Sequence, residues 1–419
     1  MRILILSNLY PPQAIGGYER ACANVAAGLA ARGHDLQVLT TWSHVPGTRD
    51  APYVHRRLDL RWFIPYPHRQ KPAETVQLHE AVCSCYANTN AVIEALRRFR
   101  PDAVYLWNLL GVGIAGIVDL LNHVEAPWAL HLMDCMPGYL HDNVPPFVRD
   151  VFNARGTAFW ERAAVISMGQ QILDEIDERT SIRFHQGVTF VPGWVDLADV
   201  IPHLPYRRGG LTRFVASGAV AEHKGIDLII QAAAVLLAEE SAPFTVDVYG
   251  EGEIARYIDL ARGTGLADRI RFLGSRSQTE LLRLYAGYDA LLFPTWEREP
   301  FGFTAIEAAG CATPPVMTRN CGAAERLADG VHCIKIDRTV ASLAAAMRGV
   351  IDGTHDVARI GAHGARLVAS DLRFDRCLDQ IEQVLAALPS TWNHARLDDS
   401  RLELLTFLKH DLSSALRFG

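Results

Sequence analysis

Residues 291–312, LLFPTWEREPFGFTAIEAAGCA, are the stretch from which the rest of the sequence is read. An apolar run from Leu291 to Phe293 stops at Pro294, a loop carries Glu299 and Gly302, and a helical pattern takes Glu307 on toward Gly310. The order is strand, loop, helix. In a parallel sheet such loops open at the carboxyl ends of the strands, and the unpaired N–H groups of the following helix favour an anion, for which phosphate is the natural guest. Glu299 and Glu307, one in the loop and one about a turn into the helix, can reach a single ligand from different sides, and Arg298 is the one obvious neighbour for either. Carboxylates beside a phosphate make chemical sense when they accept hydrogen bonds from hydroxyls, as a sugar or ribose supplies. The stretch reads as a nucleotide-sugar site, against the plainer reading of two surface acids at a helix start.

Working outward, the same unit recurs. Residues 2–6, RILIL, suit a strand buried on both faces. A loop with Gly16 and Gly17 follows, then a helix with Cys22, Val25, Ala26 and Leu29 at helical spacing, ended by Gly33, and the strand DLQVLT at 35–40. Further strands are predicted at AVYLW (103–107), WALHL (128–132), AVIS (164–167) and VTFV (188–191), with one helix from 89 ending near Arg100 and another, in 110–132, leading to WALHL. After a Pro-, Gly- and Arg-rich break at 202–212 the pattern restarts with RFVASG (213–218), FTVDVYG (244–250) and IRFLG (270–274), helices between them, and leads into the opening stretch. Alternation this regular predicts an α/β protein of two Rossmann-like, doubly wound halves facing across a cleft. The expected division is 1–205, 211–375 and a closing part at 376–419. That part holds the helix RCLDQIEQVLAAL and an amphipathic terminal helix with Leu405, Leu408, Leu412 and Leu416, expected to pack on its own domain, with a second subunit as the alternative.

Composition narrows the class. A chain of 419 residues, 49% hydrophobic, can fill two cores, and a formal net charge of −6 argues against non-specific nucleic-acid binding. Eight cysteines without a CxxC pair read as buried thiols of a reducing compartment, not as disulfides or a zinc site. The apolar run at the N-terminus is too short for a signal peptide and no run reaches about 18 residues, so the expectation is a cytoplasmic protein.

Two more loops belong with the opening stretch. SGAVAEHKG sets Lys224 and Gly225 after the strand RFVASG, where a lysine can neutralise a diphosphate; YGEG sets Gly250 and Gly252 after the next strand. A surface lysine and a plain turn are the ordinary alternatives for each taken singly. The order SG-x5-KG, YGEG, FLG, LLFPTWEREPFGFTAIEAAGCATPPV and CGAAE, with PPQAIGGYER and ARGHDLQVLT in the first half, resembles the retaining glycosyltransferases of family 4, which have the GT-B fold. The Glu-x7-Glu spacing of Glu299 and Glu307 is the most specific mark, and the resemblance covers roughly residues 1–385.

That resemblance implies transfer of a sugar from a nucleotide-diphosphate donor, held mostly by the second domain, to a small-molecule, glycan or lipid-linked acceptor at the first. It implies Lys224 on the diphosphate, Glu307 on the ribose, Glu299 with Phe301, Gly302 and Phe303 at the sugar, Gly250 beside the donor, and Gly16 and Gly17 against donor phosphate and acceptor. No cofactor and no divalent metal are implied, and no Asp-x-Asp motif is present. A catalytically impaired sugar-nucleotide-binding protein and a sugar-nucleotide epimerase of the same architecture are the alternatives.

The departures are specific. An arginine usual after the first glycine of SG-x5-KG is Ala219 here, leaving His223 or Arg276 to supply a second charge. PNGVD appears as PGWVD, Pro192 to Asp196, and the family's CG at the helix end as Cys311-Ala312. The histidine common near the acceptor is replaced by Met133, which makes His131 and Asp134, in PWALHLMDCMP, the candidates for the catalytic pocket; a satisfied core histidine is the competing reading. GVGIAG, Gly111 to Gly116, matches a dinucleotide fingerprint but does not lie in the first βα unit, and reads as helix packing. Residues 52–71 interleave basic and aromatic side chains, Trp62, Phe63 and Tyr66 among them, which suits peripheral contact with an anionic membrane surface, a polar acceptor, or a solvated loop.

Overall fold

The computed structural model describes residues 1–13, 16–61, 75–154, 156–184, 187–201, 203, 210–296, 298–389 and 392–415. Two compact units divide the chain, Met1–Val191 with Leu378–Gly419, and Pro192–Cys377. The division thus falls before the Pro/Gly/Arg-rich break, most of which lies outside the described residues, and the closing segment belongs to the first unit instead of standing apart. Its ties are side-chain bonds: Arg32 and His34 pair with Glu382, and the Trp392 indole donates to the Val124 carbonyl at 2.8 Å.

In the first unit β1 (Arg2–Leu6), β2 (Asp35–Thr41), β3 (Val54–Leu58), β4 (Ala103–Leu106), β5 (Trp128–Leu132), β6 (Ala163–Ser167) and β7 (Val188–Phe190) form one sheet in the order β3-β2-β1-β4-β5-β6-β7. All its pairings are parallel. The central strands are buried end to end because helices cover both faces, which is why they read as unbroken apolar runs. In the second unit β8 (Thr212–Ser217), β9 (Phe244–Tyr249), β10 (Ile270–Phe272), β11 (Ala290–Phe293), β12 (Pro315–Thr318) and β13 (Ile334–Ile336) take the order β10-β9-β8-β11-β12-β13, again parallel. The strand order reverses between β1 and β4 in one unit and between β8 and β11 in the other. In open α/β sheets these reversal points, at the carboxyl ends of the strands, are where ligands bind.

Part of the basic segment at 52–71 is structured: residues 54–58, VHRRL, are the edge strand β3. Its polarity hid it in the sequence. Arg56 is turned inward, pairing with Asp50 at 2.9 Å and donating to the carbonyls of Tyr10 and Pro11. Trp62, Phe63 and Tyr66 lie outside the described residues. In GVGIAG a side chain at Gly113 would meet the backbone at Cys85, 2.4 Å away, and one at Gly116 would meet the Ser84 hydroxyl at 2.7 Å, so these glycines serve close packing of the helix Ile114–His123.

Candidate functional site

The site of the second unit is assembled from four loops at one sheet edge. The β8 loop is laced to the β9 loop by Gly218 N–H to Tyr249 O, Val220 N–H to Glu251 O and Glu253 N–H to Val220 O, at 2.8–3.0 Å, and the β9 loop to the β10 loop by Gly250 N–H to Gly274 O. Trp296 N–H donates to His223 O at 2.9 Å, tying the β8 loop to the β11 loop. That contact is tight enough to demand glycine: Gly225 has φ +73°, and a Cβ there would stand 2.3 Å from Pro294 O. Gly302, at φ +94°, is the residue before the helix Phe303–Gly310, and its conformation aims the first turn at the loop.

On this frame the Lys224 ammonium forms an ion pair with Oε2 of Glu299, 75 residues away in sequence. Both side chains are largely buried, 23% and 13% exposed, which places the pair in a setting where Coulomb attraction is stronger than in water. Thr295 donates to the same carboxylate oxygen at 3.0 Å and is itself fixed, since the Thr318 hydroxyl donates to Thr295 O at 2.7 Å. Arg298, expected beside the two acids, lies instead over the ring of Trp296. Glu307 is buried in the helix Phe303–Gly310 and accepts a 2.7 Å hydrogen bond from the amide of Gln278. Phe301 is buried with Phe303 at its edge, and Ala323 N–H donates to Phe301 O.

Of the two residues named to replace the missing arginine, His223 is a poor cation. Burial, with the charges of Lys224 and Arg338, pulls its pKa down to about 4, so it is neutral at pH 7. Arg276 lies over the Tyr249 ring at 5.7 Å and keeps its charge at the loop edge. Ala219 itself is exposed.

The first unit offers a different arrangement at the ends of β1, β4 and β5. His131 is wholly buried, stacked on Trp107 with centroids 4.3 Å apart, its Nδ1 2.6 Å from the Tyr105 hydroxyl. Burial lowers its pKa to about 3, so the ring is neutral. The stack and the Tyr105 contact fix the ring at Nδ1, while Nε2 is buried and makes no hydrogen bond among the described residues. Asp134, just beyond β5, has one carboxylate oxygen, Oδ1, closed off from solvent and without a hydrogen-bond partner among the described residues. Burial first, then the charges of Glu175 and Glu19, raise its pKa to about 6, against the opposing bond from Met136 N–H. Tyr18, at the start of the helix Gly17–Ala31, donates to His131 O at 2.9 Å. Gly16 N–H donates to the Glu19 carboxylate at 3.0 Å, so this helix start already faces an acid.

The family described as Glycosyl transferases group 1 matches residues 207–366, and the Glycosyl transferase 4-like domain matches 16–194. The chain belongs to glycosyltransferase family 4. It is a glycosyltransferase of GT-B architecture that uses a nucleotide-diphosphate sugar. It is similar to a glycogen synthase of Mycobacterium tuberculosis, 28% identical over 92% of this chain and 95% of that one. A D-inositol 3-phosphate glycosyltransferase of Catenulispora acidiphila is 32% identical over 36% of this chain and 38% of its own. Among solved structures, a sucrose-phosphate synthase from Thermosynechococcus elongatus superposes with a TM-score of 0.69 at 17% identity, covering 91% of this chain and 98% of that one. A glycosyltransferase from Rickettsia africae gives 0.70 at 13% identity, covering 95% and 99%. These last two likenesses concern the fold.

In this glycosyltransferase seven of the donor-side residues expected from sequence, Lys224, Gly250, Glu299, Phe301, Gly302, Phe303 and Glu307, lie in one unit, and the other two, Gly16 and Gly17, do not. Gly16, Gly17, His131 and Asp134 all lie in the other unit. Two contributors escaped sequence reading. Thr295 precedes a tryptophan in the loop and carries no signature, and Gln278 sits in the S-x-x-E start of the helix Gln278–Tyr285, where Ser277 and Glu280 form a capping box. Among the described residues no group of three or more His, Cys, Asp or Glu side chains is arranged to hold a metal ion, and no helix is long and apolar enough to cross a membrane.

Proposed function

We propose that the Lys224–Glu299 pair is the donor switch of this retaining glycosyltransferase, and that its partners divide the donor between them. Lys224 exchanges its carboxylate partner for the donor diphosphate, and Glu299, released and still oriented by Thr295, accepts hydrogen bonds from hydroxyls of the transferred sugar. Glu307, its carboxylate held by Gln278, takes the ribose hydroxyls. The first turn of the helix Phe303–Gly310 and Arg276 add the positive potential that Ala219 does not supply. Neutralisation by these groups needs no divalent ion, and transfer is expected to persist in a chelator.

Transfer with retention then follows a front-face course. The acceptor oxygen bonds to the anomeric carbon on the side from which the diphosphate leaves, the bond to the diphosphate oxygen breaks, and the acceptor proton passes to that departing oxygen while Lys224 stabilises the charge developing there. Asp134 stands on the acceptor side. The glycogen synthase likeness over most of both chains points to a glucosyl donor and an α-glucan acceptor. The observation that carries the reading is the convergence of Lys224 and Glu299 at the reversal point between β8 and β11.

A thermal-shift screen of UDP-, ADP-, GDP- and dTDP-glucose, followed by incubation of the stabilising donor with malto-oligosaccharides, tests it. The expected result is a rise in melting temperature with one base and a lengthened glucan. Conversion of the donor into another sugar nucleotide, or binding without turnover against an acceptor panel, would refute it.

A further inference from the structure

The terminal helix Leu402–Ala415 is mounted inside out. Beside the buried Leu402 and an edge contact of Phe407 with Tyr86, its inward contacts are polar: Arg97 pairs with Glu403, Lys409 with Asp119 at 2.6 Å, His410 Nδ1 lies 3.0 Å from Ser84 O, and the Ser413 hydroxyl lies 3.1 Å from His79 Nε2. Its outward face carries Leu404, Phe407, Leu408 and Leu412, each 43–58% exposed, along a single stripe with Arg401 toward one end and Asp411 toward the other. Of the four leucines expected to pack on the domain, Leu408 and Leu412 face out, Leu405 is half-buried, and Leu416 lies outside the described residues. A helix free to rotate would bury its leucines and hydrate its charges. Four polar ties hold it in the opposite sense, so the stripe is presented, not left over.

We infer that this stripe is the contact by which two copies of the chain associate, through antiparallel pairing of the helix Leu402–Ala415 with itself about a two-fold axis. The charges favour that occupant. Arg401 and Asp411 are ten residues apart, about 15 Å along the helix, with Leu404 and Leu408 spaced symmetrically between them. An antiparallel two-fold therefore sets Arg401 of each copy, which also holds Asp399 of its own chain at 2.8 Å, against Asp411 of the other, and Leu404 against Leu408, the self-complementary arrangement of an isologous interface. A membrane surface fits less well. Among the described residues the outward face has no lysine and its arginine, Arg401, is neutralised by Asp399 at 2.8 Å, while anionic-lipid binding helices are basic on their polar side, and the chain carries −6 overall. A contact of two 14-residue helices is small, on the order of 1,000 Å² in total, at the low end of specific interfaces, where reversible, concentration-dependent association is expected.

The test is sedimentation equilibrium of the full chain from about 1 to 200 μM, with flotation on anionic phosphatidylserine vesicles as a parallel arm. The expected result is reversible dimerisation to twice the 46.3 kDa chain mass, weakened at least ~10-fold by Leu408→Glu with the melting temperature unchanged. Arg401→Asp and Asp411→Arg should each weaken it and the double charge reversal should restore it. A monomer at every concentration, a dimer indifferent to Leu408→Glu, failure of the double reversal to recover what each single reversal lost, or vesicle binding by a chain that stays monomeric would each overturn the inference.

Discussion

The two sheets share a strand order and differ in what they place at its reversal. At the β8/β11 edge stands a charged couple, Lys224 and Glu299, held by threonine and backbone bonds and reachable from solvent. The edge of the first unit holds a neutral histidine sealed among Tyr105, Trp107 and Tyr18, and a carboxyl group partly protonated near neutral pH. On the function proposed above, the difference follows from ligand charge. A diphosphate needs a cation already in place, while a hydroxyl acceptor has no charge to neutralise and asks for an oriented acceptor group in a pocket poor in water. One topology supplies both, because loop length and loop chemistry after each strand are free to vary without disturbing the sheet.

The largest effect should come from the charged edge. Lys224→Ala and Glu299→Ala are each expected to lower kcat by ~100-fold or more, the scale of losing one electrostatic stabiliser. Removing either leaves the other half-buried without its counter-charge, so both should also lower the melting temperature. Steady-state kinetics with saturating donor would break the comparison if both variants turned over at near-normal rates, because the couple would then be a structural ion pair.

How much of this was visible beforehand depends on distance in the chain. The strands were legible because Leu4–Leu6 and Leu291–Phe293 are apolar runs that only a sheet covered on both faces requires. The loops were legible because Gly225 and Gly302 mark backbone that no other residue takes without strain. That Lys224 and Glu299 come together was expected from their places at strand ends of one sheet; their direct ion pair was not, since nothing local to Glu299 announces a lysine 75 positions earlier, and Arg298, the neighbour in sequence, lies over Trp296. β3 was hidden by His55, Arg56 and Arg57 in an edge strand whose inward arginine is neutralised by Asp50. The terminal helix shows the same limit: its leucine spacing declares an apolar stripe, but Arg97 and Asp119, about 300 residues earlier, decide which way the stripe faces.

A smaller effect, with opposite signs in two measurements, is expected at Asp134. Its native pKa of about 6 lies above the ordinary carboxyl value, so the native state binds the proton more tightly than the unfolded chain does. The stabilisation is fully present below the unfolded pKa and is lost as pH rises through about 6. Asp134→Asn keeps the neutral form at every pH, and should raise stability at pH 7.5 by about 1–3 kcal/mol, the upper figure being the whole shift. The same change should lower kcat/KM about tenfold or more by removing the oxygen offered to the acceptor hydroxyl. Chemical denaturation beside kinetics separates the roles: a variant that is more stable and fully active would remove Asp134 from the acceptor side.

The smallest effect tests whether His131 belongs to the chemistry or to the core. Its pKa of about 3 lies below that of a free imidazole, so the unfolded chain takes up a proton that the native state refuses. This destabilises the fold as pH falls below about 6.5, by about 2 kcal/mol between pH 7 and pH 5, opposite in sign to the Asp134 contribution over the same interval. His131→Phe preserves the stack on Trp107 and the volume of the site, and leaves the Tyr105 hydroxyl without its nitrogen partner. The variant should be less stable at pH 7 by about 1–2 kcal/mol, should lose less stability than the parent on going to pH 5, and should keep its KM for the acceptor. Denaturation curves at the two pH values report the first two; an acceptor KM raised tenfold with an unaltered pH profile would show that the ring meets the acceptor, and the first unit would then share with the second a polar group reserved for substrate.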